Sequence, residues 1–326
     1  MTTHFSTRPY QHPVDLDALL ALVQSRPAGH LLDFPGPSDL REMLMLPDVQ
    51  ATTRVWETGE GAFAGYALLN LEEEYAGLIF EYSQAFSSSA IGDEMIAWAE
   101  EVFRSNYHGQ AQQLNSSTHS ALAERVSLLE KHGFQREADC TLYFARPLAD
   151  PIPEPRLPDG FSIRSLELSE EPAWVALHQA AFGTQNMTLE YRQAMSGMPG
   201  YAPALDLVAV APDGTLAAYV FGAIYAEENA LTGEQAGHTD PIATHPRYQR
   251  LGLSKALLLA GLRRLKERGI TVARLGTSSD NPAMQRTALA AGFRLVGESW
   301  HYAKSIPALS TREADDSPSG QRKDQT

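Results

Sequence analysis

Each half of this chain carries a pair of glycines at nearly the same spacing. Gly92 opens a helix-period pattern, and Gly133 follows 41 residues later beside Phe134; Gly252 opens another, and Gly292 follows 40 residues later beside Phe293. The patterns around these points share one order. A helix-period segment comes first (14–23 and 172–182). A strand pattern with Gly or Ala before Tyr comes next (62–69 and 216–224). The glycine-led helix, a strand, a second helix, the Gly-Phe and a last strand complete each unit. Shared order at a fixed period marks an internal repeat, and mixed units of this kind build a central sheet with helices on both faces. The predicted class is therefore α/β (α+β), in two tandem units.

The chain has 326 residues, which suits two domains of about 150 residues each. Residues 147–160 hold five prolines and end in Asp159-Gly160. Proline fixes φ and turns its neighbour away from helix, so 148–160 reads as a stiff linker between units at 1–147 and 161–309. Residues 310–326 are polar and free of aromatics, and are expected to be disordered.

Several functions are excluded early. Cys140 is the single cysteine, so no intrachain disulfide forms and no cysteine-based zinc or iron–sulfur site exists. The ten histidines show no paired ligand spacing, so no metal is expected. The formal net charge of −14 disfavours binding to a nucleic-acid backbone. The opening residues lack a basic segment leading into an apolar run, and no stretch approaches a membrane-spanning length. A cytoplasmic protein without membrane partners is the expectation. Trp56, Trp98, Trp174 and Trp300 sit in apolar patterns and read as core. Glu72, Glu73 and Glu74 read as a solvated run, and Ser87 to Ser89 as a helix cap.

The chemistry concentrates in residues 244–258. A strand pattern from Glu234 to Thr244 leads through Gln249, Arg250, Leu251 and Gly252 into a helix pattern from Leu253 to Arg268. The start of a helix leaves N–H groups without intrahelical partners, and they carry partial positive charge. Gly252 lets backbone approach a ligand, and Arg247, Arg250 and Lys255 add charge. This is an anion site suited to a pyrophosphate, and it is neither a Walker A loop nor a dinucleotide fingerprint.

Gln249-Arg250-Leu251-Gly252-Leu253-Ser254 resembles the acetyl-CoA loop of the GCN5-related N-acetyltransferase (GNAT) family, Gln/Arg-x-x-Gly-x-Gly/Ala, with Ser254 in the last small slot. The resemblance covers about 161–307 closely, and 5–146 by order of elements and Gly133-Phe134; the tandem arrangement resembles mycothiol-synthase-like members. It implies two tandem GNAT-like domains with mixed, mostly antiparallel sheets. It implies acetyl-CoA as co-substrate, held by the main chain of 249–254 with Lys255 beside it. It also implies a splayed strand, Ile242-Ala243-Thr244, along the pantetheine arm, and contact from Asn281. The activity implied is acetyl transfer to a primary amine of a small molecule or peptide. A non-catalytic acyl-CoA sensor, or a transferase using another acyl-CoA such as succinyl-CoA, stands as the alternative. Two such units in one chain form an internal pseudo-dimer, which is consistent with a monomer.

Such a transfer needs a proton acceptor for the amine and a donor for the thiolate. His238 and Asp240 are two apart, so a regular strand points both to one side. They are the candidate bases, or else an edge cap and a turn acid; Pro241 marks where the strand would splay. The tyrosine that many members carry four residues before the Gly-Phe is Ala288 here. Tyr219, Tyr225, Tyr302 and His301 are left as possible donors. In the first unit, Ser89 and Glu94 occupy the loop slots, and Asp93 and Glu94 would repel a phosphate. That unit reads as a support that forms part of the acceptor cleft. The Met-rich stretch 183–200 reads either as a lid or as a plain helix–loop connection.

Overall fold

The computed structural model describes residues 4–307, except 28–29, 31–32, 73–74, 88 and 108–111. The tail at 310–326, Ser88, Glu73 and Glu74 therefore lie outside the described residues.

The first half runs β1 (Phe5–Pro9), α1 (Leu16–Gln24), α2 (Pro37–Met43), α3 (Pro47–Ala51), β2 (Thr53–Thr58), β3 (Phe63–Leu71), β4 (Tyr75–Tyr82), α4 (Ile91–Asn106), β5 (Gln112–His119), α5 (Ala123–Lys131) and β6 (Gln135–Pro147). The second runs β7 (Ser162–Ser165), α6 (Glu171–Phe182), α7 (Leu189–Ser196), β8 (Tyr201–Val210), β9 (Leu216–Ala223), α8 (Ala226–Thr232), β10 (Ala236–His238), β11 (Ile242–Thr244), α9 (Leu253–Glu267), β12 (Val272–Ser278), α10 (Pro282–Ala290) and β13 (Arg294–Ile306). The order repeats apart from α3 in the first half and, in the second, α8 and the division of one strand into β10 and β11.

Side-chain periodicity decides the layers. Alternate residues of β3 face opposite ways: Tyr66 and Leu68 pack with Leu19 and Leu40, whereas Ala67 and Leu69 pack with Met95 and Ile96. β9 is buried along its whole length, with Tyr219 and Phe221 against Trp174 and Ala218 and Val220 against Leu253 and Leu257. α9 is held by leucines at helical spacing, and Gly269 follows its C-cap at φ 79°. Trp56 and Trp174 are fully buried, while Trp98 and Trp300 pack partly buried against the first-half core.

The strands form one continuous sheet in the order β1-β2-β3-β4-β5-β13-β6-β12-β10-β9-β8-β7, with β11 attached to β9. The β4–β5 and β10–β12 pairs are parallel and the rest antiparallel. The two halves exchange their last strands: β13 lies against β5 of the first half, and β6 against β12 of the second. Each is 13 residues long, and they pair with each other to form the seam. The cores follow the exchange. Tyr302 and Ile306 pack among Phe103, Leu114 and Phe134, while Phe144 and Leu148 pack among Leu258, Leu262 and Phe293.

Candidate active site

The strand expected from Glu234 to Thr244 breaks at Thr239-Asp240-Pro241, because Pro241 has no N–H to give a ladder. β10 stays with β12, placing His238 opposite Arg274. β11 stays with β9, pairing Ile242 with Val220 and Thr244 with Ala218. β11 and β12 therefore diverge as a fork. At its apex the Asp240 Oδ2 accepts the Gly276 N–H at 3.2 Å. The Pro241 carbonyl and the His245 N–H bond to β9. By alternation, Ile242 and Thr244 turn their peptide groups toward the open side, and Ala243 turns its own toward β9. Ala243 thus shapes the strand and offers no main-chain group to the fork.

Beyond β11 the chain makes one tight turn, Pro246–Tyr248, and enters α9 through Arg250 at φ 64° and Gly252 at φ 80°. Arg250 is the sole non-glycine with positive φ among the described residues. The N–H groups of Gln249, Arg250, Leu251, Gly252, Leu253 and Ser254 have no acceptor among the described residues. No atom lies within 4 Å of where a Gly252 Cβ would stand. Gln249, Arg250, Leu251 and Lys255 are exposed, while the Leu253 side chain anchors the helix in the core. The Thr244 and Ser254 hydroxyls, 2.8 Å apart, tie β11 to the first turn of α9. The Asn281 Oδ1 accepts the Met284 N–H at 3.0 Å and so caps α10; its exposed amide NH2 has no partner among the described residues.

A cavity of about 980 Å³ opens at the fork apex, between the halves. Its acidic wall holds Asp39 and Glu42 of α2 with Glu228 and Asp240, beside Tyr225 and His238. Its floor is the seam and the two strands flanking it, with the hydroxyls of Ser117, Thr141, Tyr143, Ser278 and Ser299. Stretch 183–200 forms α7 over this cavity, with Met187, Tyr191 and Met195 lining it. It is fastened on both sides: the fully buried Arg192 pairs with Asp206, and the Tyr191 hydroxyl donates to Glu42 Oε1 at 2.5 Å.

Burial pushes the Asp240 carboxyl above the usual carboxylate range, against the charge of His238 and the Gly276 N–H. Asp240 Oδ1 is buried without a partner. For His238, burial opposes the charged ring, but the Glu228 carboxylate 3.4 Å from Nε2 and the charges of Asp240 and Asp39 outweigh it and raise its pKa. Burial carries Asp39 up to about 6 and raises Glu42 as well. Tyr225, edge-on to His238 with centroids 5.2 Å apart, is kept protonated by burial and the nearby acids.

The four possible donors separate. Tyr219 is core, its hydroxyl 2.7 Å from His178 Nδ1, and Tyr302 is core in the first half. Tyr225 and His301 reach the cavity, with His301 held between Asp139 at 2.9 Å and Thr141 at 3.0 Å. Asp39, Glu42 and Glu228 carried no sequence signal, because they reach the cavity from two short helices, α2 and α8, far apart along the chain. The histidines are less scattered than their spacing suggests: polar atoms of His30, Asp33 and His119 lie within 4.8 Å of one another. The His119 Nδ1 accepts the Ala121 N–H at 3.2 Å, which directs the ring proton to the other nitrogen and disfavours ligation there.

The matching places of the first half are filled by protein. A Cβ on buried Gly92 would meet Leu128 at 2.6 Å. Ser89 Oγ accepts the Ile91 N–H at 3.3 Å, and Asp93 is held by Lys131 at 2.7 Å and His132 at 2.6 Å. β4 and β5 also diverge, beyond Leu78, but Arg125 enters that fork, donating to the Phe80 carbonyl at 2.5 Å and lying 4.1 Å over its ring.

Residues 170–293 match the model of the acetyltransferase (GNAT) family. The chain is 27% identical over 297 residues to a mycothiol acetyltransferase of Thermobispora bispora, covering 86% of this chain and 93% of that one. Among solved structures it resembles a GCN5-related N-acetyltransferase from Sphaerobacter thermophilus, with a TM-score of 0.71 at 20% identity, covering 94% of this chain and 97% of that one. It also resembles a tandem GNAT protein from the clavulanic acid biosynthesis pathway, with a TM-score of 0.68 at 18% identity, covering 93% and 98%. Among the described residues no helix is long and apolar enough to cross a membrane. A glycine-led loop opening a helix, a forked strand beside it and this set of relatives agree: residues 170–293 match the GNAT acetyltransferase family, and the chain as a whole is similar to tandem proteins of that fold.

Proposed function

We propose that the second half moves an acetyl group from acetyl-CoA to the primary amine of a small polar molecule seated in the cavity between the halves. One observation carries this reading. The unbonded amides of 249–254 lie beyond one end of β11, and the acidic cavity lies at the other, at the fork apex where Asp240 stands. The amides, with Arg250 and Lys255, suit a pyrophosphate, and the open edge of Ile242 and Thr244 suits an amide-bearing arm. Asn281 caps α10 with its Oδ1, which leaves its NH2 available to contact the coenzyme. The acids of the wall favour an ammonium group, and the hydroxyl floor suits a polar body.

The acetyl thioester supplies the activated carbonyl. Asp240 Oδ1, unpartnered and made more basic by burial, takes the amine proton. His238, expected from the sequence as a second base, has its pKa raised by the carboxylates around it and is better suited to give its proton to the departing sulfur. Acids at the apex disfavour an acyl group that carries a carboxylate, which argues against succinyl-CoA. The first half, with its loop and fork filled, supplies one wall of the acceptor cavity.

Thiol release from acetyl-CoA in the presence of a panel of small amines tests this. Release that depends on the amine and is lost in Asp240→Asn supports it. Tight coenzyme binding without release from any amine would favour the sensor reading instead.

A further inference from the structure

One route from the first half to His238 runs through Ser38. Ser38, in the first turn of α2, donates its Oγ–H to Glu228 Oε1 and its N–H to the same oxygen at 3.3 Å. Glu228 lies on α8 and is 4% exposed; its other oxygen, Oε2, stands 3.4 Å from His238 Nε2. α8 is keyed to β10 within the second half. The Asn229 side chain gives a hydrogen to the Ala236 carbonyl and takes the Ala236 N–H, both at 3.0 Å. The spacing of α8 and β10 is therefore set inside one half, whereas the rotamer of Glu228 is set from the other. A buried carboxylate short of donors turns to find them, since an unsatisfied charged group is costly.

We propose that Ser38 and Glu228 are positioning residues for the reaction proposed above: Ser38 fixes Glu228, and Glu228 holds the His238 ring at the fork apex. This rests on the reading of His238 as a proton carrier, yet its test needs no turnover.

Other groups also face the ring. Asp240 comes from its own turn, Asp39 from α2 and Tyr225 from the start of α8. Arg274 stands opposite on β12 and is engaged by Glu234, while Glu42, further along α2, is bonded by Tyr191. Asp39 and Asp240 persist when Ser38 or Glu228 is changed, so the ring should titrate lower rather than lose its charge altogether. Arg41, 3.1 Å from Glu227, joins the same two helices without touching Glu228 and serves as the control.

The experiment is a pH titration of the full chain carrying ring-labelled histidine, followed by NMR. The His238 signal is identified by its loss in His238→Gln. Losing the anion in Glu228→Gln should lower the midpoint by about one pH unit, and Ser38→Ala by roughly half of that. Arg41→Ala should leave it in place. Coenzyme A affinity, unchanged in all three, shows that the fold is intact. Midpoints in Ser38→Ala and Glu228→Gln that coincide with the parent would overturn the proposal, as would an equal shift in Arg41→Ala. Failure of every amine to be acetylated would instead sink the functional reading and leave this result standing.

Discussion

Asp240 and Gly276 meet at the apex of the fork, the carboxylate Oδ2 taking the N–H at 3.2 Å while Oδ1 has no partner among the described residues. One oxygen is thus spent on holding the geometry and the other is free for chemistry. Asp240→Asn keeps an oxygen for Gly276 but removes the base. The expected result is a fall in kcat of about 10²- to 10⁴-fold with coenzyme affinity unchanged. In the parent, activity should fall as pH drops through the raised carboxyl, above the usual carboxylate range, because protonated Asp240 cannot accept the amine proton. A rate profile against pH locates that limb.

Gly252 combines open space with φ 80°. Gly252→Ala adds no clash and should cost about 1 kcal/mol of backbone strain. Gly252→Glu adds a charge where the pyrophosphate is proposed to sit, and coenzyme affinity should drop at least about a hundredfold. Calorimetric titration with coenzyme A, beside a thermal melt, separates the two effects. Unchanged affinity in Gly252→Glu would falsify the assignment of the loop.

Asp39 is held up to about 6, by burial first and then by the charges of Glu228 and Glu42. Its folded value thus exceeds its unfolded value of about 3.9. Stability from this group is complete below about pH 4 and is lost as pH rises through 6. Asp39→Asn, neutral throughout, should therefore be more stable than the parent by about 1–2 kcal/mol at pH 8, the gap closing toward pH 4. Melting curves at the two pH values check the sign.

Arg192 and Asp206 are both fully buried, and Arg192 also lies 4.4 Å over the Trp174 ring. Removing one partner leaves a charge stranded, so Arg192→Met should cost about 3–5 kcal/mol in urea unfolding. Pairing it with Asp206→Leu should return much of that loss. Equal losses in the single and double variants would show that the ion pair is not what fastens α7.

The loop was legible because its signals are contiguous: the turn, Gly252 and the leucine-spaced helix fall within one short stretch, and local rules govern each. The fork was half legible, since Pro241 announces a break but not which neighbour each piece keeps. The acidic wall was illegible. Asp39, Glu42 and Glu228 lie on short helices whose patterns are ordinary, and only tertiary packing turns them toward one space. His30, Asp33 and His119 are hidden in the same way. Tyr219 and Tyr302 could not be told from Tyr225 by spacing, because whether a hydroxyl meets a cavity or a core depends on the layer above it. The strand exchange leaves no local mark either, since β6 and β13 would carry the same alternation beside either neighbour.

That exchange governs what happens when the chain is cut. A protease nick within the proline-rich connection would leave two fragments, each still clamped into the other's sheet by a 13-residue strand. They should co-migrate on a sizing column and part only on denaturation. A clone of either piece alone would carry its own final strand with nothing to lie against and would leave a vacant slot beside β5 or β12, an invitation to clump. Co-expression of the two pieces, rather than truncation, is the route by which one could be altered independently of the other.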